Sequence, residues 1–424
     1  MIRKKRMGKG IAKILSGLLV FGMVAGLVPA VPGGTVNAKA TEINGQNATA
    51  EPHTHCVCGT GNLSVERHTH KEETWTGISK LSDINREGNY YLTQDVTLTS
   101  AWTCQRNVNL CLNGHSITRT AKEYYDQNGN NAVIIIKNNV DFTLTDCKGT
   151  GTITHKQGVS GEGVYNDGRF FMYNGIIFGN NGGVKNPGMF FMYGGTITSN
   201  TANNGGGVDN AGTFTMDGGT ITSNTANNGG GVYNDNAGRF IMYGGTITGN
   251  KAEQTYGTEY GGGVYNQGTF NMYGGEITNN TATVGGGGVF NKGTFTMSGG
   301  EITSNSSESY GGGVCYSSSQ LFKMSGTVNI TENKVGTTPN NLYLWNGQQV
   351  SASGLTSGAE IGVTTQIVPI NDSSVPITSD SVSVNCFFSD NSDYETAIDE
   401  NSKVVLKTKT AVEAPSITKQ PQPV

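Results

Sequence analysis

A repeat of about 25 residues dominates this chain and constrains its fold more than any other feature. From residue 151 onward one pattern recurs: Gly-Val-x-Asn, then Phe-x-Met, then Gly-x-Ile-Thr. The glycine that precedes the third segment recurs at residues 151, 175, 195, 219, 245, 275, 300 and 326. A period of this length that tolerates insertions is typical of stacked, solenoid architectures.

Apolar residues alternate inside each copy, as in Phe214-Thr215-Met216. A period of two indicates β-strands, with Phe, Met and Ile on one face. Each copy holds three such strands, separated by Gly- and Asn-rich corners and by no helix-length segment. Parallel strands joined by crossovers are nearly always right-handed. The sequence therefore predicts an all-β chain, folded as a right-handed parallel β-helix with three-strand coils of about 25 residues.

Composition agrees with a repetitive core and excludes several classes of protein. Gly contributes 63 of 424 residues, charged residues make up 14%, and the formal net charge is −4. The absence of a Gly-x-y period excludes collagen, and the low net charge argues against a polyelectrolyte-like disordered chain. No basic excess is present to hold phosphates, so we expect no nucleic-acid partner.

Two series of asparagines also recur once per copy. One closes the Val segment, and the other follows the Ile-Thr segment. The first series is Asn166, Asn186, Asn210, Asn234, Asn266 and Asn291, and the second is Asn180, Asn200, Asn224, Asn250, Asn280, Asn305 and Asn333. Asn tolerates corner dihedrals and can bond to the amide of the next copy. We interpret both series as structural ladders; a ligand-binding role is the alternative.

The N-terminus predicts export. Six cations at residues 3–13 precede an apolar run at residues 14–28. Ala38-Lys39-Ala40 then places small residues at the two positions that a signal peptidase recognises. This pattern matches a cleaved secretory signal over residues 1–40, with a retained membrane anchor as the alternative. Cleavage would change the net charge from 28 − 32 = −4 to 21 − 32 = −11. No second long apolar segment follows, so we expect no membrane span in the mature chain.

The rest of the chain divides into four predicted segments. Residues 41–80 are rich in His and Cys, and the β-helix is predicted over residues 81–345. Residues 346–410 form a non-repetitive β cap in this prediction, because the last coil of a solenoid needs a cover. Residues 411–424 contain three prolines and are interpreted as a linker.

Aromatic residues recur at outward positions of successive copies. These positions, together with a ten-residue insertion at 251–260, suggest a surface on which sugar rings could stack. The candidate ligand-binding residues are Tyr233, Tyr265, Phe290, Tyr243, Tyr273, Tyr256 and Tyr260. The alternative is that these rings only stabilise their cross-strand neighbours.

Two acidic residues are the best catalytic candidates. Glu276 and Glu301 occupy equivalent positions on adjacent copies, so their backbones should lie one strand spacing, about 4.8 Å, apart. That separation fits the carboxylate pair of a retaining glycosidase. Two like charges on a solvated face are the alternative interpretation, and we assign no catalytic residue.

The segment at 41–80 contains six residues able to bind zinc: His53, His55, Cys56, Cys58, His68 and His70. Four ligands would complete a tetrahedral site, so a structural Zn²⁺ is one hypothesis for this segment. A plain linker and a Cys56–Cys58 disulfide are the alternatives. The seven cysteines of the chain are an odd number, and their spacing predicts no disulfide framework.

The repeat resembles that of β-helical surface proteins of gut Firmicutes. The resemblance extends to Gly-Asn-Tyr-Tyr-Leu-Thr at 88–93, Leu-Cys-Leu-Asn-Gly-His at 110–115 and Gly-Ala-Glu-Ile-Gly-Val-Thr at 358–364, and it covers most of residues 53–408. It implies the pectin-lyase-like fold, secretion and a modular surface architecture. Residues 414–421 resemble the start of a bacterial Ig-like domain. The resemblance carries no activity over to this chain.

These observations predict a secreted or cell-surface protein that is not an enzyme. We expect an adhesin-like β-helix that binds glycans or surface molecules of a host or neighbouring cell, or that serves as a rigid display scaffold. A polysaccharide lyase or glycoside hydrolase acting in a groove of the β-helix is the alternative.

Overall fold

Successive copies of the repeat pair strand by strand, in parallel and in register, and build a right-handed parallel β-helix. The computed structural model describes residues 53–55, 72–121, 131–253, 260–371, 373–382 and 386–409. The predicted signal sequence at 1–40 and the linker at 411–424 lie outside these ranges. The fold class predicted from the repeat is confirmed.

The Val-x-Asn segments form the first parallel sheet, here called the Val sheet. Each strand pairs with the equivalent strand one coil away, as Val208–Asn210 does with Val232–Asn234. The strands are Trp102–Cys104, Ile134–Ile136, Val164–Asn166, Val184–Asn186, Val208–Asn210, Val232–Asn234, Val264–Asn266, Val289–Asn291, Val314–Tyr316 and Leu342–Leu344.

The Phe-x-Met segments form the second parallel sheet, the Phe sheet, and its buried face supplies most of the large side chains of the core. The strands are Thr76–Ile78, Gly88–Leu92, Val108–Cys111, Asp141–Thr145, Arg169–Met172, Met189–Met192, Thr213–Met216, Arg239–Met242, Thr269–Met272, the first halves of Thr294–Thr303 and Phe322–Thr331, and Ser351–Leu355.

The Ile-Thr segments form the third parallel sheet, the Ile sheet. The strands are Val96–Leu98, Ile117–Arg119, Thr152–His155, Ile176–Phe178, Thr196–Thr198, Thr220–Thr222, Thr246–Thr248, Glu276–Thr278 and the second halves of Thr294–Thr303 and Phe322–Thr331. Glu360–Thr365 then pairs with both the Ile and Val sheets, and Phe387–Ser389 pairs with Glu360–Thr365. The parallel pairing thus runs past both predicted boundaries of the β-helix, residues 81 and 345.

A fourth row of short strands was not expected from the sequence. It follows the second asparagine series and consists of Thr201–Asn204, Thr225–Asn228, Lys251–Ala252, Thr281–Ala282, Ser306–Ser307 and Lys334–Val335, with Thr338–Pro339 antiparallel at its end. Two antiparallel units complete the described part: a hairpin of Thr54–His55 and Glu73–Thr74, and a three-stranded sheet of Ser374–Pro376, Tyr394–Ile398 and Val404–Thr408. Leu81–Asp83 and Trp345–Gly347 are single 3₁₀ turns.

A stack of phenylalanines runs through the core. Phe190, Phe214 and Phe240 are fully buried, and consecutive ring centroids lie 4.8 Å apart. This distance matches the spacing between adjacent strands, because identical residues of successive coils lie one above the other. Stacked aromatic pairs contribute about 0.5–1.5 kcal/mol beyond the area that they bury.

Both asparagine series form buried ladders, as the sequence predicts. In the first, Asn186 Nδ2 donates to Asn210 Oδ1 at 2.7 Å. In the second, Asn200 donates both its backbone N–H and its Nδ2 to Asn224 Oδ1, each at 3.0 Å. These bonds satisfy buried polar groups at the corners, which would otherwise destabilise the fold by about 1–3 kcal/mol each.

Glycine is required where corners of adjacent coils approach each other. A Cβ added at Gly207 would lie 2.6 Å from the carbonyl oxygen of Gly231. Substitution there would force the two backbones apart, which explains the Gly-rich run that precedes each Val-x-Asn strand.

The register shifts between the two long strands Thr294–Thr303 and Phe322–Thr331, and again between Phe322–Thr331 and Ser351–Leu355. Gly300 pairs with Val328, and Ile302 pairs with Ile330, because an irregularity between Met297 and Gly299 adds a residue to the facing strand. The glycine series aligns Gly326 with Gly300 and thereby places Val328 opposite Ile302; that alignment is wrong.

Candidate functional site

The outward side of the Phe sheet carries an unusual density of aromatic and apolar side chains. Because Phe and Met of each strand point into the core, the residues beside them point outward. On four strands these outward residues form one surface, here called the tyrosine face. It consists of Arg169, Phe171, Tyr173, Met189, Phe191, Tyr193, Arg239, Ile241, Tyr243 and Tyr273.

Rings of the tyrosine face stack in columns parallel to the long axis of the β-helix. Phe171 and Phe191 stack with centroids 5.1 Å apart, and Tyr173 stacks on Tyr193 at 4.8 Å. Tyr243 and Tyr273 stack at 5.1 Å with an interplanar angle of 15°, and each is 46% exposed. This last pair was predicted as ligand-binding from the sequence, and it is accessible.

The column that contains the tyrosines has polar residues at two points. The half-buried Asp217 lies between Tyr193 and Tyr243, since its backbone N–H bonds to Met192 and that of Tyr243 bonds to Met216. After Tyr273 the next residue is Ser298, whose small side chain leaves the far face of the Tyr273 ring uncovered within the column. The exposed pair thus lies between a half-buried carboxylate and a serine of the same column.

An open groove borders the same face. It has a volume of about 760 Å³ and is lined by residues that include Asn138, Asp167, Arg169, Met189 and Thr213. The Arg169 guanidinium is held by Asp141 through two hydrogen bonds, at 2.6 and 2.8 Å. The sequence analysis did not predict this groove, although outward Phe171 and Phe191, where other copies have Thr, Asn, Ile or Lys, distinguish this part of the chain.

The expected accessibility of Tyr265 and Phe290 is wrong. Both occupy outward positions of the Val sheet, but they are only 2% and 3% exposed. They form a second hydrophobic cluster with Cys315 and Tyr343, against which Tyr233, Tyr310 and Trp345 pack. Alternation along a strand predicts which side of the coil a residue faces, but it does not predict what covers that side.

Gln267 links two tyrosines of this cluster. Tyr233 OH donates to Gln267 Oε1 at 2.7 Å, and Gln267 Nε2 donates to Tyr265 OH at 3.1 Å. Tyr233 and Tyr265 also stack, with centroids 5.3 Å apart. These contacts favour the stabilising interpretation of this aromatic series.

The insertion after the 251–252 strand also differs from expectation. Tyr260 is fully buried, in a small cluster with Ala252 and Ala282, so its ring is not available to a ligand. Tyr256 lies outside the described residues.

Glu276 and Glu301 are placed as the repeat predicts. They are register partners on adjacent strands of the Ile sheet, and both are exposed. Their neighbours in the column are Thr246 and, because of the register shift, Asn329 rather than Thr327. The pair lies on an exposed sheet face.

A cluster of His and Cys residues forms where the N-terminal hairpin meets the first coils. It contains His53 and His55 from the hairpin, Cys111 from the end of a Phe-sheet strand, and Cys147 from the corner after the next strand. Their potential ligand atoms all lie within 4.8 Å of one another. The structure therefore joins two residues of the predicted zinc segment to two cysteines that the sequence interpretation left unassigned.

The electrostatics of the cluster follow from its burial. Burial lowers the pKa of His53, and the neighbouring His55 and Lys148 act in the same direction. Burial raises the pKa of the Cys111 thiol to about 12. A neutral His53 imidazole and a protonated Cys111 thiol are thus the expected state of these two groups without a metal.

The other predicted zinc ligands, Cys56, Cys58, His68 and His70, lie outside the described residues. Cys111 and Cys147 were missed because 36 residues separate them, although both belong to corners that the repeat places on adjacent coils. Aligning the strand Val108–Cys111 with the strand Asp141–Thr145, which pairs Cys111 with Thr145, would have placed Cys147 near Cys111.

Comparison with known proteins yields no match. No protein-family model matches this chain, no curated protein matches it, and no solved structure matches it. Among the residues described, no helix is long and apolar enough to cross a membrane.

Proposed function

We propose that this protein is an exported, non-catalytic β-helix that binds an elongated polysaccharide along its tyrosine face. The observation that carries the proposal is the accessible stacked pair Tyr243 and Tyr273, on an outward sheet surface with further aromatic rings and a bordering groove. Apolar patches framed by polar residues on an otherwise hydrophilic surface are typical of binding sites.

The shape and chemistry of this face suit a sugar polymer. Stacked ring pairs, 4.8–5.1 Å between centroids, lie on both sides of the coil that contains Thr215 and Asp217 and has no ring on this face, so an extended chain could contact several coils in turn. Tyr193 is only 7% exposed, so Tyr243 and Tyr273 supply the accessible tyrosine rings. The uncovered face of Tyr273 can pack against the apolar face of a sugar ring. Asn138, Asp167 and Arg169 line the bordering groove and offer acceptors and donors for hydroxyl groups.

The predicted signal sequence at 1–40 supports export, and a binding role outside the cell follows from it. We include a structural role as the second candidate, because the second asparagine ladder continues without a break from Asn180 to Asn341. A rod with such ladders can also hold a binding surface away from the cell.

The acidic pair does not favour catalysis. Glu276 and Glu301 project from an open face, whereas a glycosidase needs a substrate enclosed between its two carboxyl groups. We therefore assign these residues to the solvated surface of the Ile sheet.

A panel of plant, mucin and glycosaminoglycan polysaccharides tests the proposal. Retardation of the protein in gels that contain each polymer measures binding, and the length of the recovered polymer measures cleavage. The proposal expects retardation by at least one polymer, whose length is unchanged. Shortened polymer would favour a polysaccharide lyase or glycoside hydrolase. No retardation by any polymer of the panel would contradict polysaccharide binding and leave the rigid scaffold as the remaining candidate function.

A further inference from the structure

We propose that His53, His55, Cys111 and Cys147 form a structural zinc site that fastens the N-terminal hairpin to the first coils of the β-helix. Two thiolates and two imidazoles are the ligand set of structural Zn²⁺ sites, which are tetrahedral and closed to substrate. Soft sulfur and imidazole donors also select Zn²⁺ over Ca²⁺ or Mg²⁺, which prefer oxygen.

The distances within the cluster match those of a zinc site before any metal is added. With Zn–S near 2.3 Å and Zn–N near 2.0–2.1 Å, ligand atoms at tetrahedral angles lie about 3.3–3.8 Å apart. Cys111 Sγ lies 3.5 Å from Cys147 Sγ, and Cys147 Sγ lies 3.8 Å from His53 Nε2. Since the widest separation is 4.8 Å, small side-chain rotations would bring all four atoms to one ion.

The surroundings hold both imidazoles in place. The His53 ring stacks on Tyr91 with centroids 4.1 Å apart, and the His55 ring stacks on Trp75 at 4.4 Å. Trp75 also fixes the backbone, because its N–H and its indole Nε1 donate to the carbonyl oxygens of His53 and His55, each at 3.0 Å. Fixed ring orientation is what the outer shell of a metal site supplies.

The thiols have supporting contacts of the same kind. The backbone N–H of Cys147 points at Cys111 Sγ, 3.4 Å away. Such N–H contacts stabilise a metal-bound thiolate. The strand that ends at Cys111 pairs with Asp141–Thr145, so the parallel ladder sets the distance between the two cysteines.

A disulfide explains this cluster less well than a metal. The two sulfurs are 3.5 Å apart, well beyond the covalent length of about 2.05 Å. A disulfide would also leave unexplained why the hairpin places two imidazoles beside the two sulfurs.

The site would anchor a small element to the solenoid. The hairpin strands contain only two residues each, and so few backbone bonds give little stability by themselves. A metal that joins residues 53 and 147 closes a long loop of chain, which restricts the unfolded ensemble and stabilises the fold.

The native full chain gives the first test. After purification with a thiol reductant and without chelator, we expect one Zn²⁺ per chain by elemental analysis. X-ray absorption should show two sulfur ligands near 2.3 Å and two nitrogen ligands near 2.0–2.1 Å. Absence of stoichiometric metal, or a shell of only oxygen and nitrogen, would overturn the proposal.

Variants identify the ligands. Cobalt added to metal-free protein should produce thiolate-to-cobalt absorption in the wild type and in the control Cys104→Ser, which removes another buried thiol of the early coils. Cys111→Ser and Cys147→Ser should weaken cobalt binding by more than the roughly 10–100-fold expected for loss of an outer-shell partner.

Two results would refute this ligand set even if the protein binds metal. One is metal retained in Cys111→Ser and Cys147→Ser but lost in Cys56→Ser with Cys58→Ser, which would restrict the site to the N-terminal segment. The other is a Cys111–Cys147 disulfide in the native protein, detected by mass spectrometry without reduction. Both results are informative only if the protein is folded, so the circular dichroism spectrum of each variant is measured as well.

Discussion

The carboxylate of Asp390 accepts two hydrogen bonds from Asn341, from its backbone N–H at 2.7 Å and from its Nδ2 at 2.6 Å. Asn341 in turn accepts from Asn333, so Asp390 ends the longer asparagine ladder. Each Asn in the ladder accepts from its neighbour through Oδ1, and a carboxylate can end the series because it only accepts. A residue of the non-repetitive C-terminal region thus completes the repetitive one.

Asp390→Ala should destabilise the protein by about 1–3 kcal/mol, because it leaves buried donors of Asn341 without an acceptor. The change is measured as the shift in the midpoint of urea unfolding. Asp393→Ala removes an exposed carboxylate of the same region and is the control. Equal midpoints for the two variants would contradict a capping role for Asp390.

Asn224→Ala tests a central rung of the same ladder. Asn224 Oδ1 accepts two bonds from Asn200, and its Nδ2 donates to the carbonyl oxygen of Ile197 and to Asn250 Oδ1, each at 3.0 Å. Loss of these four bonds should cost about 2–4 kcal/mol and lower the melting temperature. Asn203→Ala, at an exposed position beside the same corner, should change it little. Similar losses of stability in the two variants would show that the buried ladder bonds contribute no more than an exposed side chain does.

The Asp209 carboxyl makes stability depend on pH. Burial raises its pKa from 3.8 to about 6, while Lys185 acts in the opposite direction. A raised folded-state pKa means that this group stabilises the fold fully below its unfolded pKa, and that the contribution is lost as pH rises through about 6.

Asp209→Asn should therefore match the wild type in melting temperature near pH 4 and exceed it near pH 8. Each pKa unit corresponds to about 1.4 kcal/mol, and partial exposure reduces the effect, so we expect a gain of roughly 1–2 kcal/mol at the higher pH. Asp167→Asn, an exposed substitution, is the control. A difference that does not grow with pH would exclude this titration as its cause.

Tyr265→Ala should lower stability, since its buried ring packs with Phe290, Cys315 and Tyr343. Removal of a buried aromatic ring typically costs about 3–5 kcal/mol. Phe178→Ala removes a ring that is 45% exposed on the Ile sheet and should cost far less. Thermal unfolding of both variants decides between a structural role for Tyr265 and the binding role that its outward position first indicated.

The sequence predicted those features that repeat at every coil. The Phe stack and both asparagine ladders follow from one period, because in-register parallel pairing places equivalent residues one above another. Val328 was misplaced because a single irregularity near Gly299 shifts the pairing without disturbing the pattern of residue types.

The sequence did not predict contacts between the repeat and what lies outside it. Tyr343 lies on the last Val-sheet strand, in register with Cys315, but Trp345, which packs against the same cluster, follows that strand and has no place in the period. Cys147 and His53 are 94 residues apart and belong to different segments. Such contacts depend on the path of the chain between elements, which residue periodicity does not specify.

Polysaccharide binding by Tyr243→Ala with Tyr273→Ala, compared with Phe178→Ala, tests the central claim most directly. Each change removes exposed rings, but only the first lies on the tyrosine face. With a polymer that retards the wild type, we expect the double variant to lose retardation, Phe178→Ala to keep it, and polymer length to stay unchanged in every sample. Full retardation of the double variant, or shortened polymer, would contradict the account.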